Sequence, residues 1–85
     1  MRVIKTDDFE KHLKRLPSAT KRSFINQLER FTSNPRHPSL QTKKLKDLEG
    51  VYSFRIGRSH RALFFFEDTK TIVLFAIGHR KDIYR

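Results

Sequence analysis

The sequence predicts an α+β domain: a short strand, a pair of helices, then a three-stranded antiparallel meander, with the helices on one face of the sheet. Three observations carry that expectation. Apolar residues recur at helical spacing between residues 9 and 31, period two takes over after Gly50, and turn-forming residues divide the second half into three short segments. The order is β-α-α-β-β-β. With 85 residues there is room for one core only, so residues 1–85 read as a single domain.

Residues 2–6 (Arg-Val-Ile-Lys-Thr) suggest the first strand. Asp7 or Asp8 is placed to cap a helix that carries Phe9, Leu13 and Leu16 on one side. Pro17 ends it, and Ser18 caps a second helix with the apolar stripe Phe24, Ile25, Leu28 and Phe31, stopped by Asn34-Pro35. So short a connection predicts an antiparallel helical hairpin. Residues 35–50 are a linking segment with Pro35, Pro38 and Gly50, and its basic stretch runs Lys43-Lys44-Leu45-Lys46. Tyr52, Phe54 and Ile56 then alternate with Val51, Ser53 and Arg55, the pattern of a half-buried strand. Gly57-Arg58-Ser59 turns into a strand from Arg61 to Glu67, and Glu67-Asp68-Thr69-Lys70 turns into a third from Thr71 to Ile77, closed by Gly78. Strands joined by short turns make a meander, the first strand is expected to join the same sheet, and its second face is expected to be largely open.

Composition narrows the function classes. Cysteine is absent, which removes disulfides, thiolate metal sites and cysteine nucleophiles. The first five residues are too short and polar to read as a signal peptide, and no apolar run reaches the length of a membrane span, so the expected location is the cytoplasm. Nineteen Lys and Arg against nine Asp and Glu give a net charge of +10, a field that draws polyanions, nucleic acid first among them. An acidic protein partner fits the same charge.

Parity along the strands sorts the side chains. In 51–57 the even positions belong against the helices and the odd ones, Ser53 and Arg55, face away; in 61–67 Ala62, Phe64 and Phe66 match the core, leaving Arg61, Leu63 and Phe65 on the other side. Arg55 and Arg61 then meet on one surface, and Arg80 is placed to join them. Guanidinium groups clustered without carboxylates suit phosphate binding or stabilisation of a pentacoordinate phosphorus. The same arginines also fit a merely solvated basic face whose stems cover Leu63 and Phe65. The nine acids lie mostly in caps and turns and have no metal-ligand spacing, nor have His12, His37, His60 and His79, so no metal is expected. His60 and His79 are the two histidines expected near the arginines, where either is able to serve as acid or base.

Several segments, taken together and in order, resemble one known family. They are Lys44-Leu45-Lys46, then Gly50-Val51-Tyr52-Ser53-Phe54-Arg55-Ile56-Gly57, then His60-Arg61-Ala62-Leu63-Phe64-Phe65, and the tail Ile77-Gly78-His79-Arg80-Lys81-Asp82-Ile83-Tyr84-Arg85. This is similar to the central signature and ending of the RelE/ParE superfamily, RelE-like branch, and the likeness covers essentially the whole chain. It implies the toxin of a type II toxin–antitoxin system, a ribosome-dependent endoribonuclease that inhibits translation by cutting mRNA in the ribosomal A site without a metal or other cofactor. In such a reaction the 2′-hydroxyl attacks the adjacent phosphate and leaves a 2′,3′-cyclic end.

By position, the resemblance makes Arg61 the phosphate ligand and Arg80 the group beside the leaving 5′-oxygen. Arg55 becomes a basic residue near the nucleophile and Tyr84 the aromatic that stacks on the substrate, with His79 a candidate acid or base. Lys43, Lys44, Lys46, Arg58, His60 and Lys81 become RNA or ribosome contacts. Some relatives carry two lysines on the strand where this chain has Ser53 and Arg55, which leaves the proton acceptor open. The alternatives are a ParE-like inhibitor of DNA gyrase that cuts nothing, and a member retaining antitoxin binding alone. In every case the expected partner is a cognate antitoxin with an acidic, partly disordered segment that either lies over Arg61 and Arg80 or displaces the tail carrying Tyr84. The ribosome and mRNA are the further partners of the nuclease, and neither a membrane nor a small-molecule ligand is expected.

Overall fold

A computed structural model describes residues 1–83. Strand β1 (Arg2–Lys5) leads into helices α1 (Asp7–Lys14) and α2 (Ser18–Ser33). A single 3-10 turn at Pro38–Leu40 and strands β2 (Lys43–Lys44), β3 (Val51–Ile56), β4 (His60–Asp68) and β5 (Thr71–His79) follow. The expected order is present with one addition, the two-residue strand β2. All five strands form one sheet in the order β1-β5-β4-β3-β2, with β1 parallel to β5 and every other pair antiparallel. No helix among the described residues is long and apolar enough to cross a membrane.

The core lies between the helices and one face of the sheet. Phe54 and Ile56 of β3, Ala62 and Phe64 of β4 and Ile72 and Leu74 of β5 point into it at alternating positions, and all are buried. Phe9 of α1 meets Phe24 of α2 with ring centroids 5.3 Å apart, and Phe31 packs on Phe54 at 5.6 Å and edge-on to Phe64 at 5.0 Å. Fully burying a phenylalanine stabilises by roughly 1.5–3 kcal/mol, so each of these rings matters in a chain this short.

Local details depart from the expectations for physical reasons. Thr6, not Asp7 or Asp8, caps α1: its backbone is extended (φ −71°, ψ 161°) and its Oγ1 accepts the Phe9 N–H at 3.1 Å. Asp7, Asp8 and Glu10 sit one step inside, where negative charge complements the helix dipole. Helix α2 begins with Ser18 as its first residue and Pro17 at the cap position, with no side-chain cap. Ile25, expected in the stripe, is 55% exposed; Gln27 is buried instead, three residues after Phe24 and four before Phe31. Strand β5 continues through Gly78 to His79.

The second face of the sheet is less open than expected. Ser53, Arg61, Leu63 and Val73, all on that side by register, are each under 9% exposed. An irregularity between Leu63 and Phe64 gives β5 one extra residue, Phe75, whose ring lies 5.8 Å from that of Phe65 on this face. Phe65 itself stays 37% exposed.

Candidate functional site

Strand register builds the site. On the face away from the helices, Arg55 stands directly opposite Arg61, Arg61 opposite Gly78, and Lys43 opposite Ser53. Arg58 comes in from the β3–β4 turn, where Gly57 takes a positive φ of 60°. Arg80 follows β5 directly and is anchored by its backbone N–H, which donates to the Ser59 carbonyl at 2.7 Å. Together Gln41, Lys43, Arg55, Arg58, Arg61 and Arg80 line a cavity of about 270 Å³. Five of these six side chains are cationic and none is acidic. The acids lie elsewhere, and between described residues one ion pair falls within 4.0 Å, Lys5 with Glu10.

Arg61 is the fixed wall of this cleft. It is 7% exposed, and its Nε donates to Ser53 Oγ at 2.9 Å while Nη2 donates to the carbonyls of Gln41 and Ser53. A guanidinium this buried is tolerated because Nε and Nη2 have protein acceptors. Gln41 is the one described non-glycine residue at positive φ (43°); it caps the 3-10 turn and redirects the chain into β2. Arg61 therefore both lines the cleft and ties the segment that carries Lys43 to the sheet.

Arg55 differs. It is half-buried, and its Nε is shielded from solvent with no hydrogen-bond partner among the described residues. A buried N–H without an acceptor costs about 1–3 kcal/mol, which an anion in the cleft would offset. The Arg55 backbone is held from the other face: Gln27 Nε2 donates to its carbonyl at 2.8 Å and to that of Ser39 at 3.1 Å, while Gln27 Oε1 accepts from Arg30 Nη1 at 3.0 Å. Sequence reading missed Gln27. Its signal was a lone amide at positions i+3 and i−4 from two buried phenylalanines.

The remaining candidates divide. His60 and His79 pair across β4 and β5 with rings 5.5 Å apart, and they share the parity of Ile56, so they lie on the helix side and not beside the arginines. Adjacent residues on a strand point to opposite faces, which is why His60 parts from Arg61. Burial, and then the neighbouring His79, hold the His60 imidazole below its usual pKa. His79 contributes structurally: its Nδ1 accepts the Lys81 N–H at 3.1 Å and its carbonyl accepts those of Asp82 and Ile83, closing the turn that carries Arg80. Lys44 pairs with Tyr52 on the helix side, while Lys46 and Lys81 are exposed and outside the cleft lining. Tyr84 lies outside the described residues.

The fold has counterparts among solved structures. The complex of antitoxin RelB and toxin RelE from Methanococcus jannaschii contains a chain 29% identical, with 95% of this chain and 94% of that one covered and a TM-score of 0.71. The YoeB/ParE toxin from Agrobacterium tumefaciens shares the fold at a TM-score of 0.78 and 15% identity, over 94% of this chain and 99% of that one. The intact E. coli RelBE toxin–antitoxin complex shares it at 0.72 and 18% identity, over 92% and 94%. No curated protein sequence matches. The profile of the ParE toxins of type II (parDE) toxin–antitoxin systems matches residues 3–84, nearly the whole sequence. By that match the chain belongs to the ParE toxin family of type II toxin–antitoxin systems.

Proposed function

We propose that this toxin is a ribosome-dependent mRNA endoribonuclease that arrests translation by metal-independent cleavage in the ribosomal A site. The observation that carries the reading is the single cleft walled by four arginines and a lysine with no carboxylate among its lining residues. Such a site holds a phosphodiester and stabilises the added charge of a pentacoordinate phosphorus through fixed guanidinium donors. Arg61, already oriented by Ser53 and Gln41, grips a non-bridging oxygen. Arg55 has a buried N–H in need of an acceptor, and the exposed Arg80 lies at the edge where the 5′-oxygen departs. Tyr84 stacks on a substrate base, Arg58 contacts RNA at the cleft, and Lys44, Lys46, His60 and Lys81 contact ribosomal RNA beyond it. The toxin works in the cytoplasm, and its cognate antitoxin neutralises it with an acidic segment laid over Arg61 and Arg80. The 29% likeness to a chain of a RelB–RelE complex favours this branch.

The test is 5′-end mapping of cellular mRNA after brief induction of the wild type, Arg80→Ala and Arg61→Ala. In-frame breaks within translated codons, lost in both variants, are the expected result. Loss of one fixed donor to the reacting phosphate lowers single-turnover cleavage by about 10²–10³-fold. A second reading, inhibition of DNA gyrase without nuclease activity, is favoured by the match to the ParE profile. Growth arrest with DNA damage and intact mRNA would establish it, and the cleft would then be a binding surface.

A further inference from the structure

We propose that Lys43 is the proton acceptor at the arginine cleft, a catalytic role that rests on the nuclease reading above. Attack by a 2′-hydroxyl needs a base within reach. Among the described residues lining the cleft, the four guanidinium groups stay protonated and cannot accept a proton, and an amide such as Gln41 is not a base. No carboxylate lines the cleft, and His60 and His79 lie across the sheet on the helix side. Lys43 alone among these side chains has a neutral form that is a good base, and amines act as general bases in enzymes.

Its placement suits the task. Lys43 pairs with Ser53, the residue whose Oγ accepts from Arg61, so its side chain leaves the sheet on the arginine face. The strand carrying it is only two residues long, and beside its pairing with β3 it is held by the Arg61 bond to the carbonyl of Gln41 two residues earlier. Arg61 is thus a positioning residue for the base as well as a phosphate ligand. In the reaction the 2′-hydroxyl proton passes to the Lys43 amine and a bond forms between O2′ and phosphorus. The bond from phosphorus to O5′ breaks, and the departing oxygen takes a proton from water at the Arg80 edge. The products are a 2′,3′-cyclic phosphate and a 5′-hydroxyl, and the Lys43 ammonium returns its proton to solvent.

The deciding experiment is single-turnover cleavage of a defined codon on purified ribosomes, from pH 6 to 9, by the full-length wild type, Lys43→Arg and Lys43→Ala. A binding cation survives the arginine substitution; a base does not. The wild-type rate should rise with pH, whereas Lys43→Arg should lose about 100-fold or more and the pH-dependent rise, with ribosome affinity unchanged. Added methylamine should restore part of the rate of Lys43→Ala and none of that of Lys43→Arg. Near wild-type cleavage by Lys43→Arg, or an unaltered pH profile in it, overturns the assignment. A wild type that cuts nothing at any pH overturns the nuclease reading itself, a result distinct from either.

Discussion

The two faces of the same three strands are held by opposite means. On the helix side, alternate residues of β3, β4 and β5 meet phenylalanines from α1 and α2 in an apolar layer that needs no directed bonds. On the other side, Ser53 and Arg61 are equally buried but are satisfied one hydrogen bond at a time. The first arrangement supplies stability; the second stabilises little and fixes geometry, because a guanidinium withdrawn from water costs nearly what its bonds return. A small toxin thus keeps its charged site rigid by leaning it on a core one residue away in the strand.

Substitutions on the two faces should separate these contributions. Phe64→Ala removes a ring that touches Phe31, Phe54, Tyr52 and Phe66, and should cost about 3–5 kcal/mol in urea unfolding; a loss near 1 kcal/mol would mean that the helix face is not the main source of stability. Next in size, Arg61→Ala removes the donors to Ser53 Oγ and the Gln41 carbonyl and should cost about 1–3 kcal/mol, whereas exposed Arg80→Ala should stay within about 0.5 kcal/mol. Equal effects from the two arginines would dissolve the distinction between clamp and contact.

The smallest effect concerns pH. Because burial and His79 depress the His60 pKa, the unfolded chain binds the proton more readily than the folded one. Stability should therefore be unaffected above the ordinary histidine value of 6.5 and decline as pH falls through and below it. His60→Gln should flatten that decline in melting temperature between pH 7.5 and 5, and an unchanged slope would place its origin elsewhere.

Much of this architecture is legible in the residues. Alternation in 51–56 and 61–64 specifies which side chains face the core, although Phe66, expected among them, is 44% exposed near the end of β4; the same parity puts Arg55 and Arg61 together, as their register does. What escaped was decided by tertiary contact. Two residues of β2 carry no periodicity, so Lys43 looked like any other lysine of its basic stretch until pairing with Ser53 set its face. Gln27 is polar and was passed over for Ile25, though only the former lies on the buried side of α2. His60 and His79 were grouped with the arginines by closeness in sequence, which on a strand means opposite faces. Thr6 outcompeted two aspartates as a cap because the cap must be extended while Asp7 is already helical.

Strand order also sets a timetable. The strand that forms last in sequence, β5, is seated in the interior of the sheet, between β1 and β4, and Arg80 follows it directly. A growing polypeptide can bring β3 and β4 together early, but β1 has no neighbour to join until residues 71–79 are free to slot between them. The arginine cleft consequently lacks Arg80, one of its five cations, until β5 is in place. A newly made molecule acquires its complete charged wall only when that final strand docks and sets Arg80 beside the residues of β2, β3 and β4.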